Sequence, residues 1–316
     1  MNIEPRKAGQ LCLLIEENIS HVMVGKEDVI RKLMISLAAK GHILLEDVPG
    51  IGKTTLVSAL AKSLDLNFSR IQFTPDVMPS DVTGYNMYNP AKAAFEFHPG
   101  VIMTQLLLAD EINRTSPKTQ SALLEAMQES QVTVEGQTYE LMQPFMVLAT
   151  QNPIEQVGTY TLPEAQLDRF MLKITLGYPN LNEEMAILGR YSEDNPLDDL
   201  KPVASAQDIL WLQDQVRYVY VSDAIKRYIS ILSARTREHP ELELGISPRA
   251  SLMLMHAAKA EALLSGRDYV LPDDVQNMLL PCWSHRLIVK PEGRLKQQEP
   301  EMILKQLLRE IRVPER

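Results

Sequence analysis

Gly41-His42-Ile43-Leu44-Leu45-Glu46-Asp47-Val48-Pro49-Gly50-Ile51-Gly52-Lys53-Thr54-Thr55 runs from an apolar segment through a glycine-bearing loop into helical spacing. Strand, tight loop and helix in that order read as a phosphate-binding loop. Several backbone N–H groups must converge on an anion, so glycines stand where a β-carbon would collide, and the helix adds the positive end of its dipole. Gly50, Ile51 and Gly52 form the loop, Lys53 reaches the β- and γ-phosphates as a point charge, and the Thr54 hydroxyl is small enough to ligate Mg²⁺. Thr55, the next helical residue, completes the candidate nucleotide-binding set. Asp47 stands where the usual spacing wants a glycine. A carboxylate about 4 Å from a phosphate charge costs about 4 kcal/mol at an effective dielectric of about 20, so Asp47 must point away or be paired elsewhere. A chance glycine-rich turn before a helix would read the same on this segment alone.

The totals fit an enzyme of two domains: 316 residues with 45% hydrophobic content can bury substantial cores. Thirty-two Lys and Arg against 41 Asp and Glu give a net charge of −9, which argues against a broad sequence-independent grip on nucleic acid. Two cysteines, Cys12 and Cys282, offer neither a disulfide framework nor a C-x-x-C metal site. The six histidines show no ligand-pair spacing such as H-E-x-x-H and read as surface or packing residues. The opening residues Met1 to Lys7 lack the apolar region of a signal peptide, and the most apolar stretch, Val101 to Ala109, is far too short to cross a bilayer. The expectation is a soluble, cytoplasmic protein.

Outward from the loop, residues 8 to 40 carry helical spacing in two pieces joined by Val22-Met23-Val24-Gly25-Lys26; Val24 and Gly25 read equally as hinge residues or as contacts to an adenine. Downstream, Thr55 to Leu64 is a helix and Asn67 to Phe73 a strand, a βαβ beginning. Residues 74 to 100 break the alternation with Pro and Gly and hold a small hairpin around Asn89-Pro90. Leu106 to Ala109 is a buried-strand pattern ending in Asp110 and Glu111, which a parallel sheet delivers to its ligand-binding edge. There Asp110 can hold Mg²⁺ through its water shell, and Glu111 can orient or deprotonate the attacking water. A strand followed by a capping acid pair would look alike. Ser116-Pro117 opens a helix, and Gln131 to Leu141 alternates around Glu135-Gly136 as a hairpin. Phe145 to Ala149 then brings Asn152 to the same edge, where its carboxamide can bond a γ-phosphate oxygen or simply start a turn before Pro153. A short helix from Pro163 to Phe170 and a strand from Met171 to Leu176 close this half. Gly177-Tyr178-Pro179-Asn180 marks a boundary after which the apolar period is helical throughout. The division expected is 1–179 and 180–316. Ser247-Pro248-Arg249 opens one of the later helices and puts a cation in its first turn, where the dipole disfavours it.

Lys53-Thr54, Asp110-Glu111, Asn152, Leu167-Asp168-Arg169-Phe170 and Ser247-Pro248-Arg249 occur in the order and approximate spacing of the AAA+ ATPases, and the likeness covers most of the chain. The wording Leu44-Leu45-Glu46-Asp47-Val48-Pro49-Gly50, Ala109-Asp110-Glu111-Ile112-Asn113-Arg114, Ala149-Thr150-Gln151-Asn152-Pro153 and Leu162-Pro163-Glu164-Ala165-Gln166-Leu167-Asp168-Arg169-Phe170 specifically resembles the MoxR family. The resemblance implies an α/β core with a five-stranded parallel sheet in 5-1-4-3-2 order, a C-terminal all-α lid, ATP with Mg²⁺, and assembly into a homo-oligomeric ring, usually a hexamer. It makes Lys53 and Thr54 Walker A, Asp110 and Glu111 Walker B, Asn152 sensor 1, Arg169 the arginine finger offered to a neighbour's ATP, and Arg249 sensor 2. It also implies that Val24 and Gly25 line the adenine, that residues 85–98 and 131–143 are hairpin insertions, and that Arg114 faces the subunit interface. Asp47 departs from the general ATPase pattern but resembles other MoxR-like sequences.

The function implied is a chaperone-like ATP-driven remodeller that assembles or activates protein complexes, often with a partner carrying a von Willebrand factor A domain. A DNA motor is the alternative from a different class, but Tyr85 to His98 offers only Lys92 among cations and Gln131 to Gln143 offers none. A nucleotide-gated scaffold with little turnover is a third reading, opposed by the intact Glu111 and Arg169.

Overall fold

The chain opens with two helices, α1 (Pro5–Ser20) and α2 (Glu27–Ala38), before the first strand, β1 (Ile43–Glu46). Helix α3 (Lys53–Ser63) leads to β2 (Phe68–Gln72), and a short helix α4 (Pro79–Thr83) with the hairpin β3 (Gly84–Asn89) and β4 (Ala94–Pro99) precedes β5 (Leu106–Asp110). Then come helix α5 (Pro117–Glu129), a second hairpin of β6 (Gln131–Val134) and β7 (Gln137–Glu140), strand β8 (Met146–Gln151), the single turn α6 (Glu164–Leu167) and β9 (Leu172–Ile174). The computed structural model describes residues 3–48, 50–151, 160, 162–192, 194–295 and 297–314.

The order across the main sheet is β2-β5-β8-β1-β9, and every pairing is parallel. Numbered by its own members, this is the 5-1-4-3-2 order expected. Side chains alternate between its two faces. Leu45, Leu106, Leu108, Met146 and Leu148 join a core formed with α1, α2, α3 and the later helices. Leu44, Leu107, Ala109, Val147 and Ala149 join a second core with Leu123, Leu124 and Met127 of α5. With both faces covered, the central strands β1, β5 and β8 read as continuous apolar runs rather than alternating ones. His42 pins α5 to the sheet: its Nδ1 accepts from the Val147 N–H at 3.0 Å and its Nε2 donates to the Met127 carbonyl at 3.0 Å. Burial lowers its pKa to about 4, which keeps it neutral in this role.

After β9 the chain is helical, with α7 (Leu181–Arg190), α8 (Pro196–Asp199), α9 (Ala206–Tyr218) and α10 (Asp223–Arg237) in succession. A three-residue strand, β10 (Leu242–Leu244), leads to α11 (Pro248–Leu264) and α12 (Pro272–Trp283). The chain ends through β11 (Ile288–Val289), α13 (Pro291–Leu295) and α14 (Pro300–Glu310). Strands β10 and β11 pair antiparallel, so the helical lid carries one small ribbon that the helical period hid. Helix starts are chemically marked: Ser205, Ser222 and Ser247 accept a hydrogen bond from the third residue of α9, α10 and α11. Trp283 is fully buried and its indole N–H donates to the Ala250 carbonyl at 3.1 Å, tying α12 to α11. Helix α11 buries Ala250, Leu254, Ala257 and Ala258 and leaves Leu252 55% exposed. Among the described residues no helix is long and apolar enough to cross a membrane.

Candidate functional site: a nucleotide cavity and a separate arginine pair

Parallel register sets the chemistry at one edge of the sheet. Glu46 pairs with Gln151 and Gln72 with Asp110, so the loop after β1, the acids after β5 and the end of β8 emerge together. Beyond β1, Gly50 and Gly52 take φ of +86° and +94°, values that a side chain would strain. Gly52 caps α3 without any side-chain hydrogen bond, so the first N–H groups of the helix are left for another acceptor. They open on a cavity of about 330 Å³ lined also by Lys53, Thr54, Thr55, Asp110, Glu111 and Thr150. Lys53 Nζ folds back on the Asp47 and Val48 carbonyls at 3.1 and 3.4 Å.

Asp47 is turned away from the cavity. Its carboxylate accepts from the backbone N–H groups of Leu176 at 2.6 Å and Gly177 at 3.1 Å, fastening the loop to the segment that leaves β9. The acid that looked misplaced in the loop is a strut beneath it.

Asp110 is 5% exposed and both its oxygens are engaged: Oδ1 accepts from the Thr150 hydroxyl at 3.3 Å and Oδ2 from Arg70 Nε at 2.7 Å. The same Thr150 hydroxyl accepts from the Glu111 N–H at 2.9 Å. Glu111 has φ +56° and ψ +49°, a left-handed conformation costing on the order of 1 kcal/mol or more outside glycine. That turn aims the carboxylate off the strand axis, where Arg114 Nε meets it at 2.9 Å. Arg114 therefore stands beside the candidate base. Among the described residues there is no cluster of three or more His, Cys, Asp or Glu that could cage a metal. Thr54 and Asp110 are the donor set that suits Mg²⁺, which keeps most of its waters and takes few protein ligands.

A second cavity of about 360 Å³ shares Gly50, Gly52 and Thr55 with the first and is lined by Val24, Ile51, Pro179, Ile187, Leu188 and Tyr191. Its apolar walls suit a flat base. Gly25, expected there with Val24, does not line it: at φ +67° it lies under α7, where a β-carbon would come within 2.3 Å of Glu183.

Arg169 and Arg249 line neither cavity. They lie together near the C-terminal end of α5, with Arg249 Nη1 3.5 Å from Gln128 Oε1. Burial and the charge of Arg249 both lower the pKa of Arg169, against the opposing pull of Glu125 and Glu129. Asp168 joins the two arginine-bearing segments. Its Oδ2 accepts from the Ser247 hydroxyl at 3.3 Å, two residues before Arg249, and its Oδ1 from Arg286 Nε at 2.8 Å. Arg286, 7% exposed, also donates to the Phe170 and Met171 carbonyls. The lid thus grips the turn that carries Arg169. Helix α6 stops at Leu167, short of the Phe170 expected, and Arg286 takes up the Phe170 carbonyl beyond it.

Two family models match the chain. The AAA model, described as the ATPase family associated with various cellular activities, matches residues 42–172, and the AAA lid domain matches 234–307. Chaperone MoxR1 of Mycobacterium tuberculosis is 39% identical over 94% of this chain and 81% of its own length. The chain belongs to the MoxR family of AAA+ ATPases. YeaC of Bacillus subtilis, an uncharacterized protein, is 52% identical over 94% of this chain and 93% of that one. A crystal structure of a protein from Cytophaga hutchinsonii superposes with a TM-score of 0.92, 40% identity and coverage of 98% of this chain and 97% of that one.

Within this MoxR-family chain, Gly50, Gly52, Lys53, Thr54, Thr55, Asp110 and Glu111 gather round one cavity, with Val24 and Ile51 in the adjoining one. Asn152 lies outside the described residues. Sequence reasoning missed Arg70, Thr150 and Arg286. For Arg70 there was a signal: it alternates with Gln72 along a strand beside β5, so both polar chains share one face. Thr150 directly precedes Gln151-Asn152 and was passed over for the carboxamide. Arg286 acts across 118 residues and left no local trace.

Proposed function

We propose that this protein binds ATP with Mg²⁺ and hydrolyses it at interfaces between copies of itself in a ring of six, and spends the cycle on remodelling protein clients. The observation that carries this reading is the separation of Lys53, Thr54, Asp110 and Glu111 from Arg169 and Arg249. Bound Mg²⁺ would neutralise phosphate charge between Thr54 and Asp110. The open N–H groups of α3 and Lys53 hold the polyphosphate, and the apolar cavity with Val24 receives the base. Glu111 orients or deprotonates water, with Asn152 assigned to the same terminal phosphate. Arg169 and Arg249, clamped side by side through Asp168, are presented to the neighbouring copy's nucleotide. Since Asp168 and Ser247 join core and lid, loss of the terminal phosphate would be felt in the angle between 1–179 and 180–316, the division we adopt.

Protein clients are favoured over DNA by the hairpins. Tyr85, Met87, Tyr88 and Phe95 of the first are exposed, its Lys92 is paired with Glu96, and it is bonded to the second through Asn86 and Glu135. Phe97 also stacks on Tyr139 at 3.8 Å between ring centroids. An aromatic, nearly uncharged surface grips polypeptide and gives phosphate backbones little purchase. The relative named as a chaperone supports this class, and a partner with a von Willebrand factor A domain and a cytoplasmic location complete the proposal. The test is co-purification of the Glu111→Gln form with ATP: a ring that binds and does not turn over should retain its client. Full phosphate release by that variant would remove Glu111 from the chemistry.

A further inference from the structure

Arg70 sits in the phosphate cavity, and its anchoring is unusual for a residue there. Its Nε donates to Asp110 Oδ2 at 2.7 Å while the side chain stays 49% exposed. Among the described residues Nε is the atom that makes its polar contact, so Nη1 and Nη2 keep their donors for something else. A guanidinium held by one edge presents the remaining N–H groups as a fixed fork, which suits a phosphate better than a lysine's point charge does.

Position tells which phosphate. The base cavity adjoins Gly50, Gly52 and Thr55 on the Val24 side, whereas Arg70 and Gln72 reach the phosphate cavity from β2, beyond Asp110. A chain of phosphates leaving the base and crossing the loop ends at Asp110, Glu111 and Arg70. We propose that Arg70 is a second cation of this chain's own half-site, aimed by Asp110 at the terminal phosphate of the triphosphate. The inference rests on the nucleotide reading above and deepens it. It gives Asp110 two duties, orienting the guanidinium through Oδ2 and facing the metal's water shell, and it gives the site a means of telling ATP from ADP.

The test is equilibrium binding to the full-length protein of a hydrolysis-resistant ATP analogue and of ADP, each with Mg²⁺, for wild type, Arg70→Gln and Arg70→Lys. Arg70→Gln should weaken the triphosphate roughly ten- to hundred-fold, as loss of charged hydrogen bonds does, and ADP by less than about threefold. Arg70→Lys should recover only part of the loss, because one ammonium cannot hold Asp110 and the phosphate together. Unchanged ADP binding shows that the variant is folded. Equal loss for both nucleotides would reduce Arg70 to a support for Asp110 and overturn the inference, as would no loss for either. A wild type that binds neither nucleotide would remove the nucleotide reading itself.

Discussion

The phosphate cavity and the arginine pair are built on opposite electrostatic plans. Around the cavity the acids have counterparts within the chain, Asp110 with Arg70 and Glu111 with Arg114, and beneath it Asp47 is held by two backbone N–H groups. At the pair, two guanidinium groups are brought close enough for one to lower the other's pKa, on a partly buried surface. Holding like charges together is unfavourable, and the clamp through Asp168, Ser247 and Arg286 is what maintains it. A cavity whose acids are paired while Arg70 and the α3 N–H groups keep donors to offer, beside a separate pair of arginines, is the arrangement that the proposed shared site requires.

The largest effect that would break this contrast is expected at Arg169. Replacing it by alanine should cost on the order of 10³-fold in turnover, as removal of a trans-acting arginine does elsewhere, with nucleotide affinity within about twofold of wild type. Phosphate release and equilibrium binding measured on one sample separate the two quantities. Arg249→Ala should act in the same direction and less strongly, roughly ten- to hundred-fold, since one charged hydrogen-bonding group is lost while Arg169 stays. A fall in nucleotide affinity as large as the fall in rate would return Arg249 to its own chain's site.

Asp47 sharpens the comparison from the other half. Asp47→Ala strips a charged acceptor from one buried and one half-buried N–H group and should destabilise the chain by about 2 kcal/mol, read as a lower denaturation midpoint. The smallest effect concerns His42. Its folded pKa of about 4 lies below the ordinary 6.5, so stability is fully present above pH 6.5 and declines as pH falls toward 4. Between pH 6.5 and about pH 5.5 the loss should be about 1 kcal/mol. His285, also buried and shifted down, adds to the same slope, so His42→Gln should flatten it without abolishing it.

Much of the cavity half was legible beforehand because it is local. Val48 to Thr55 and Ala109 to Glu111 carry their chemistry within a few residues, whereas the sheet order came only from the family resemblance, since apolar runs mark strands and not their neighbours. Asp47 could be recognised as needing a partner, but Leu176 and Gly177 could not be named, since a contact to distant backbone N–H groups leaves no side-chain pattern. The arginine half depends on such contacts throughout. Asp168 meets Ser247 and Arg286 across 79 and 118 residues, and those contacts help to set Arg169 beside Arg249. The ribbon of β10 and β11 escaped notice for the same reason, being a pairing of two very short segments across two helices.

Mixing two inactive forms tests the shared site most directly. Lys53→Ala keeps Arg169 but lacks the phosphate cation, and Arg169→Ala keeps the cavity but lacks the arginine. Each alone should release almost no phosphate, and an equimolar mixture allowed to exchange subunits should regain a substantial part of wild-type turnover, at interfaces where an intact cavity meets an intact arginine. A mixture as inactive as its components, under conditions where the wild type turns over and forms rings, would place Arg169 and the cavity in the service of the same chain.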